Sequence, residues 1–153
     1  MYLYLVQHGE AKSKQEDPDR SLTEKGIKEI TSLADFLKAK ISFDRIVHSG
    51  KKRAQQTAEI LTAAIAPDQT PAVIDCINPN DDPQKLADLI AGWTGDNLIV
   101  GHLPFMARMV GLLVNSDPGK AINNFQPGSM VCLEKEDSAE WKIGWILRPE
   151  LFN

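Results

Sequence analysis

The 153-residue chain contains three histidines, His8, His48 and His102, and the residues beside each are of a kind that leaves an imidazole free to react. His8 precedes Gly9, His48 precedes Ser49-Gly50, and His102 follows Gly101. An apolar run leads into each: Leu3-Tyr4-Leu5-Val6, Ile46-Val47 and Leu98-Ile99-Val100. That pattern reads as a buried strand ending at a small-residue turn, where open α/β sheets bind ligands. Glycine at such a turn lets backbone amides approach a ligand or lets the chain turn with positive φ. Arg53 falls near the start of a helix that follows the second strand end. A metal site made of the three imidazoles is one possible chemistry, since histidine is the commonest transition-metal ligand. No carboxylate or paired-histidine spacing accompanies them, however, and the Arg53 charge would oppose a cation. The set is better suited to holding an anion.

The elements that would position these residues follow in order. The strand ending at His8 gives way to a charged, aperiodic segment from Glu10 to Arg20, read as a surface loop. Thr23 then caps a helix in which Ile27, Ile30, Leu33, Ala34 and Leu37 recur at helical spacing to about Lys40. Phe43 to Val47 is a short strand, and a second helix runs from about Lys51 until Pro67 stops it. Residues Ala72 to Ile74 form a brief strand. Gln84 to Ala91 is a third helix with Leu86, Leu89 and Ile90 inward, and Asn97 to Val100 is a strand apolar enough for burial on both faces. A fourth helix buries Met106, Met109, Val110, Leu112 and Leu113 and fades at Asn115. Met130–Glu134 and Trp141–Leu147 pair as an antiparallel hairpin around Glu136-Asp137-Ser138-Ala139. Strands alternate with helices up to that hairpin, which predicts an α/β fold: a three-layer α/β/α sandwich on a mostly parallel sheet with an antiparallel C-terminal edge.

Composition bounds the function. The length suits one domain spanning residues 1–153. A hydrophobic content of 42% and a charged content of 25% are those of a soluble globular chain, with no apolar run long enough to cross a bilayer. The N-terminal apolar run is too short for a signal peptide, so a cytoplasmic location is expected. A net charge of −4 argues against general binding to nucleic acid, and no membrane partner is indicated. Any anion must therefore be held by a local cluster of donors. Cys76 and Cys132 form no CxxC pair and read as reduced, packed thiols.

His8-Gly9, the run Ser49 to Arg53-Ala54-Gln55-Gln56-Thr57, and Gly101-His102 together resemble the histidine phosphatase superfamily, which includes the phosphoglycerate mutases. The chain length, His102-Leu103-Pro104, the Asn78-Pro79 and Asp82-Pro83 loop and the C-terminal Trp145-Ile146-Leu147-Arg148-Pro149-Glu150 are most similar to the small SixA-type phosphohistidine phosphatases. The resemblance implies a phosphoglycerate mutase-like fold and a nucleophilic His8 that carries a transient phosphoryl group. It implies that His102 stabilises the transferring group, that Arg53 binds phosphate, and that Gly9 and Ser49 contribute at the strand-end turns. A neutral imidazole has a free lone pair for attack, and a neighbouring guanidinium keeps it unprotonated. Arginine and imidazole donors can stabilise the equatorial oxygens of a transferring phosphoryl by position and charge, so no cofactor is expected. The implied substrates are a phosphohistidine-bearing protein, such as a phosphorelay domain, or a small phosphorylated molecule. The chain has no room for the longer substrate-enclosing insertions of the mutases.

One position departs from the family pattern. Arginine normally stands just before the nucleophile, whereas this chain has Gln7. A glutamine facing the pocket can donate to a phosphate oxygen but brings no charge and no bidentate fork, a loss of roughly two orders of magnitude in rate. Lys12, Lys51 and Lys52 are the cations able to assist Arg53. The alternative is a phosphate-binding or regulatory module with weakened catalysis. Glu10, Asp81 and Asp82 are the loop carboxylates available as a general acid, with solvated surface charge as their other reading. A P–N bond needs such an acid less, because imidazole leaves neutral when its other nitrogen is protonated. His48 has no role in the family pattern and reads as the end of its strand.

Overall fold

The computed structural model describes residues 1–137 and 140–152. Its elements are β1 (Tyr2–Gln7), α1 (Glu24–Leu37), β2 (Arg45–His48), α2 (Lys52–Ile65), β3 (Ala72–Val73), α3 (Pro83–Ala91), β4 (Asn97–Gly101), α4 (Phe105–Asn115), β5 (Met130–Lys135) and β6 (Trp141–Leu147), followed by a 3-10 turn at Pro149–Phe152. The described residues form a six-stranded sheet in the order β3-β2-β4-β1-β5-β6. The first four strands of that order run parallel. β5 is antiparallel to β1 and β6 to β5, so the expected antiparallel edge is present. Ser138 and Ala139 of the hairpin turn lie outside the described residues.

Strand alternation divides the core. Leu3, Leu5, Val47, Ile99, Val131 and Leu133 pack with Leu86, Ile90, Phe105 and Met109 of α3 and α4. Tyr4, Val6, Ile46, Leu98, Val100 and Met130 pack with Ile30, Leu33, Ala58 and Leu61 of α1 and α2. Successive strand residues point to opposite faces, so central strands apolar at every position require a helical layer on each side. The arrangement is the expected α/β/α sandwich, a mostly parallel sheet with an antiparallel edge and helices on both faces. No helix among the described residues is long and apolar enough to cross a membrane.

The helix-start signals act as read, whereas some inward assignments do not: Leu112 and Leu113 of α4 are only partly buried, and the buried stripe there ends with Val110 and Gly111. Thr23 caps α1 by accepting from the Gly26 amide at 2.9 Å, and Asp82 caps α3 with Pro83 in its first turn. Ile27 and Leu89, both expected inward, face solvent at 43% and 47% exposure. In α1 the buried stripe instead takes in Gly26 and Glu29. A Cβ at Gly26 would collide with the Glu10 backbone, so it is the bare face of that helix that meets the start of the loop after β1.

Candidate active site

β1, β4 and β2 are neighbours, which brings the three histidine-bearing strand ends side by side. Gln7 pairs with Gly101, and His48 with Val100. The His8 amide donates to the Gly101 carbonyl at 3.0 Å, continuing the ladder past the end of β1. His8 and His102 then lie with ring centroids 5.0 Å apart, inclined at 54°.

The tautomer of His8 follows from its partners. Nδ1 lies 2.7 Å from the Gly9 carbonyl oxygen, an acceptor, so Nδ1 carries the proton. Nε2 is left with its lone pair, and the Arg53 Nε–H donates to it at 3.2 Å. Burial pushes the His8 imidazole down to about 4; the bond to Gly9 works the other way, and the charges of Arg53 and Arg20 add to the fall. His102 falls to about 3, through burial first and then through His8, Arg53, Lys51 and Arg20. Both rings are therefore neutral at pH 7, and His8 presents a nucleophilic nitrogen toward a guanidinium.

The remaining expected site residues divide. Ser49 Oγ lies 2.6 Å from His102 Nε2, so its hydroxyl is directed at the second histidine. Gly9 differs from the expectation that its amide faces a ligand: that N–H donates to the buried Thr57 Oγ1 at 3.0 Å. Its bareness serves packing, because a Cβ there would lie 2.9 Å from Ile30 Cγ1. Gln7 is only 7% exposed, and its Oε1 is buried without a donor; no charge enters the site from this position. The Glu10 carboxylate accepts from Thr23 Oγ1 at 3.0 Å and lines a different cleft with Lys25, Glu29 and Gln126. Asp81 accepts from the Asn78 amide at 2.8 Å, and Asp82 from the Gln84 amide at 3.0 Å. These three carboxylates are thus engaged in a helix start, a turn and a cap. His48 turns its Nδ1 to the Gly50 amide, and among the described residues no group of three or more His, Cys, Asp or Glu side chains could hold a metal ion.

Two residues named in the sequence without a role acquire one in the structure. Thr57 accepts from Gly9 and donates to the Arg53 carbonyl at 2.7 Å, tying α2 to the turn after β1. Arg20 belongs to the segment read as surface loop. Its left-handed backbone (φ 51°) and its Nε–H bond to the Lys12 carbonyl at 3.0 Å hold the side chain. It lies close enough for its charge to depress His8, Arg53 and His102. The loop itself is folded back by an Ala11–Leu22 bridge and by Lys12 N–H donating to the Ser21 carbonyl at 2.8 Å.

Residues 3–76 match the histidine phosphatase superfamily (branch 1). No curated protein matches the chain. Among solved structures, the protein histidine phosphatase SixA complexed with tungstate superposes with a TM-score of 0.86 at 23% identity, covering 100% of both chains. An alpha-ribazole phosphatase from Shigella flexneri gives a TM-score of 0.73 at 16% identity, covering 97% of each chain. A mutant phosphoserine phosphatase from Entamoeba histolytica in complex with phosphoserine gives 0.73 at 17%, covering 97% of this chain and 98% of its own. The structural likeness establishes the fold, and the resemblance to histidine phosphatases read from the sequence is borne out. The family match contains His8, Ser49 and Arg53 but stops short of His102.

Proposed function

We propose that the chain is a single-domain histidine phosphatase that hydrolyses phosphohistidine on a partner protein through a covalent phosphohistidine on His8. The observation that carries this reading is the contact of Arg53 Nε with His8 Nε2 at 3.2 Å, made while His8 Nδ1 is held by Gly9. One nitrogen is fixed as a donor to protein; the other is a lone pair beside a permanent positive charge. An incoming phosphoryl group takes the place of the N–H at that lone pair, and its oxygens take up the guanidinium.

His8 Nε2 attacks phosphorus, the substrate P–N bond breaks, and the substrate imidazole leaves neutral with its proton on the other nitrogen. Water then attacks the phosphoryl on His8, releasing inorganic phosphate and restoring the imidazole. Arg53 and His102 stabilise charge on the equatorial oxygens, and Arg20 supplies the second guanidinium that Gln7 does not. Carboxylates committed to caps and turns favour a P–N bond over a stable phosphomonoester, whose oxygen leaving group needs a proton. Every step uses protein side chains and water.

The test is to trap 32P on the protein from a phosphohistidine-bearing domain and to compare turnover with that of phosphoserine and sugar phosphates. Label on the wild type and none on His8→Ala is the expected result. Phosphate binding without label or turnover would replace this reading with a phosphate-binding module, the alternative favoured by the uncharged Gln7. Faster turnover of phosphomonoesters would point to a small-molecule phosphatase.

A further inference from the structure

The third histidine, left without a role above, is tied to the site through a turn. His48 closes β2 and is 3% exposed. Its backbone is held between β4 and β3, pairing with Val100 and Val73, and its carbonyl accepts from the Ile74 amide at 3.0 Å. Its Nδ1 accepts the Gly50 N–H at 3.1 Å across a glycine at φ 86°, so this ring carries its proton on Nε2. Burial lowers its pKa, with Glu59 of α2 opposing, which is consistent with a ring that accepts at Nδ1.

The turn it closes, Ser49-Gly50-Lys51, sets two distances in the site. Ser49 Oγ sits 2.6 Å from His102 Nε2. Lys51 is the N-cap of α2 but offers no side-chain cap bond, and its amide donates to Ser49 Oγ at 3.4 Å. Two residues further on, Arg53 reaches His8. The start of this helix thus lacks the usual cap residue; a bond from the preceding strand takes over the task of fixing it.

We propose that His48 is a positioning residue: by accepting the Gly50 amide at Nδ1 it locks the β2–α2 turn, and through that turn it sets Ser49 against His102 and the first turn of α2 against His8. The kinetic part of this proposal rests on the phosphatase reading; the structural part does not. A misplacement of well under an ångström at an attacking geometry lowers rate more than affinity.

Two variants separate acceptor from bulk. His48→Asn keeps an acceptor, Oδ1, where Nδ1 stands; His48→Leu keeps buried volume and removes the acceptor. The readouts are phosphoramidate kinetics and the His102 ring 15N signals of the protein without substrate. The expected result for His48→Leu is a fall in kcat of about tenfold or more, KM within about twofold, and a shifted or doubled His102 signal. The expected result for His48→Asn is recovery of kcat to within about threefold and of the wild-type His102 signal. Equal impairment of both variants, or an unmoved His102 signal in His48→Leu, overturns the proposal. Should His48→Leu fail to fold, His48→Gln serves in its place, because its acceptor lies one bond too far out to meet Gly50. Should the wild type show no hydrolysis, the phosphatase reading fails, while the His102 signals still decide the role of His48.

Discussion

Lowering the pH on the free protein tests the state of the proposed nucleophile without any substrate. An ordinary imidazole titrates at 6.5, and His8 is held down to about 4. At pH 6, an ordinary ring would be roughly three-quarters protonated, and His8 roughly one part in a hundred. The difference between 6.5 and about 4 corresponds to about 3 kcal/mol favouring the neutral ring in the folded chain. The unfolded chain takes up a proton on His8 that the folded chain refuses. Stability is therefore full above about pH 6.5, declines as pH falls at up to about 1.4 kcal/mol per pH unit from this group, and levels off below about 4. His102, at about 3, extends the decline further into acid. NMR titration of the ring 13Cε1 signals reads the two histidines directly. Urea unfolding of wild type and His8→Asn across pH 4 to 7 isolates the stability contribution of His8 from that of the carboxylates. A His8 midpoint near 6.5, with parallel stability curves for the two proteins, would refute a buried lone pair facing Arg53.

Three further outcomes follow from individual contacts. Arg53→Met should lower kcat/KM for a phosphoramidate by about a hundredfold with little change in the unfolding midpoint, since the lost group is charge at the reacting centre; a loss under threefold would assign the phosphate to other cations. Gln7→Leu should stabilise the fold by about 1 kcal/mol in urea unfolding, because the buried Oε1 has no donor; comparable destabilisation would show that the amide is satisfied. Thr57→Val leaves the buried Gly9 N–H without its acceptor and should destabilise by about 1–3 kcal/mol while slowing turnover, both measurable on one preparation; an unchanged midpoint would mean that Gly9 finds another partner.

What could be read from the chain before folding depended on whether a residue's place was set by periodic burial. His8, His102 and Arg53 stood out because apolar strands end beside them and a helix starts near the third. Pairing of β2, β4 and β1 then brings those ends together. Arg20 carried no such signal: its segment is aperiodic, and its direction comes from one left-handed residue and a bond to the Lys12 carbonyl. Gly9 was visible as a glycine, but its reason, the close approach of Ile30 in α1, depends on contact across the fold. Ile27 and Leu89 fit the helical period yet face outward, because the buried stripe of a helix is set by what it lies against. The role of His48 rests on a backbone partner of its ring, and that of Gln7 on the want of any donor to its Oε1, neither of which spacing encodes.

The placement of β1 has a consequence for motion. With β4 on one side and β5 on the other, its backbone is paired along both edges, and Leu3, Leu5 and Val6 are fully buried. Such a strand has no cheap local opening, so its amide protons exchange with solvent only when the whole molecule unfolds. The residue that ends it, His8, is anchored to the slowest-breathing part of the protein, whereas Arg20 approaches from a polar surface loop. In deuterium exchange, the imidazole side of the site should stay protected long after the Arg20 side has exchanged.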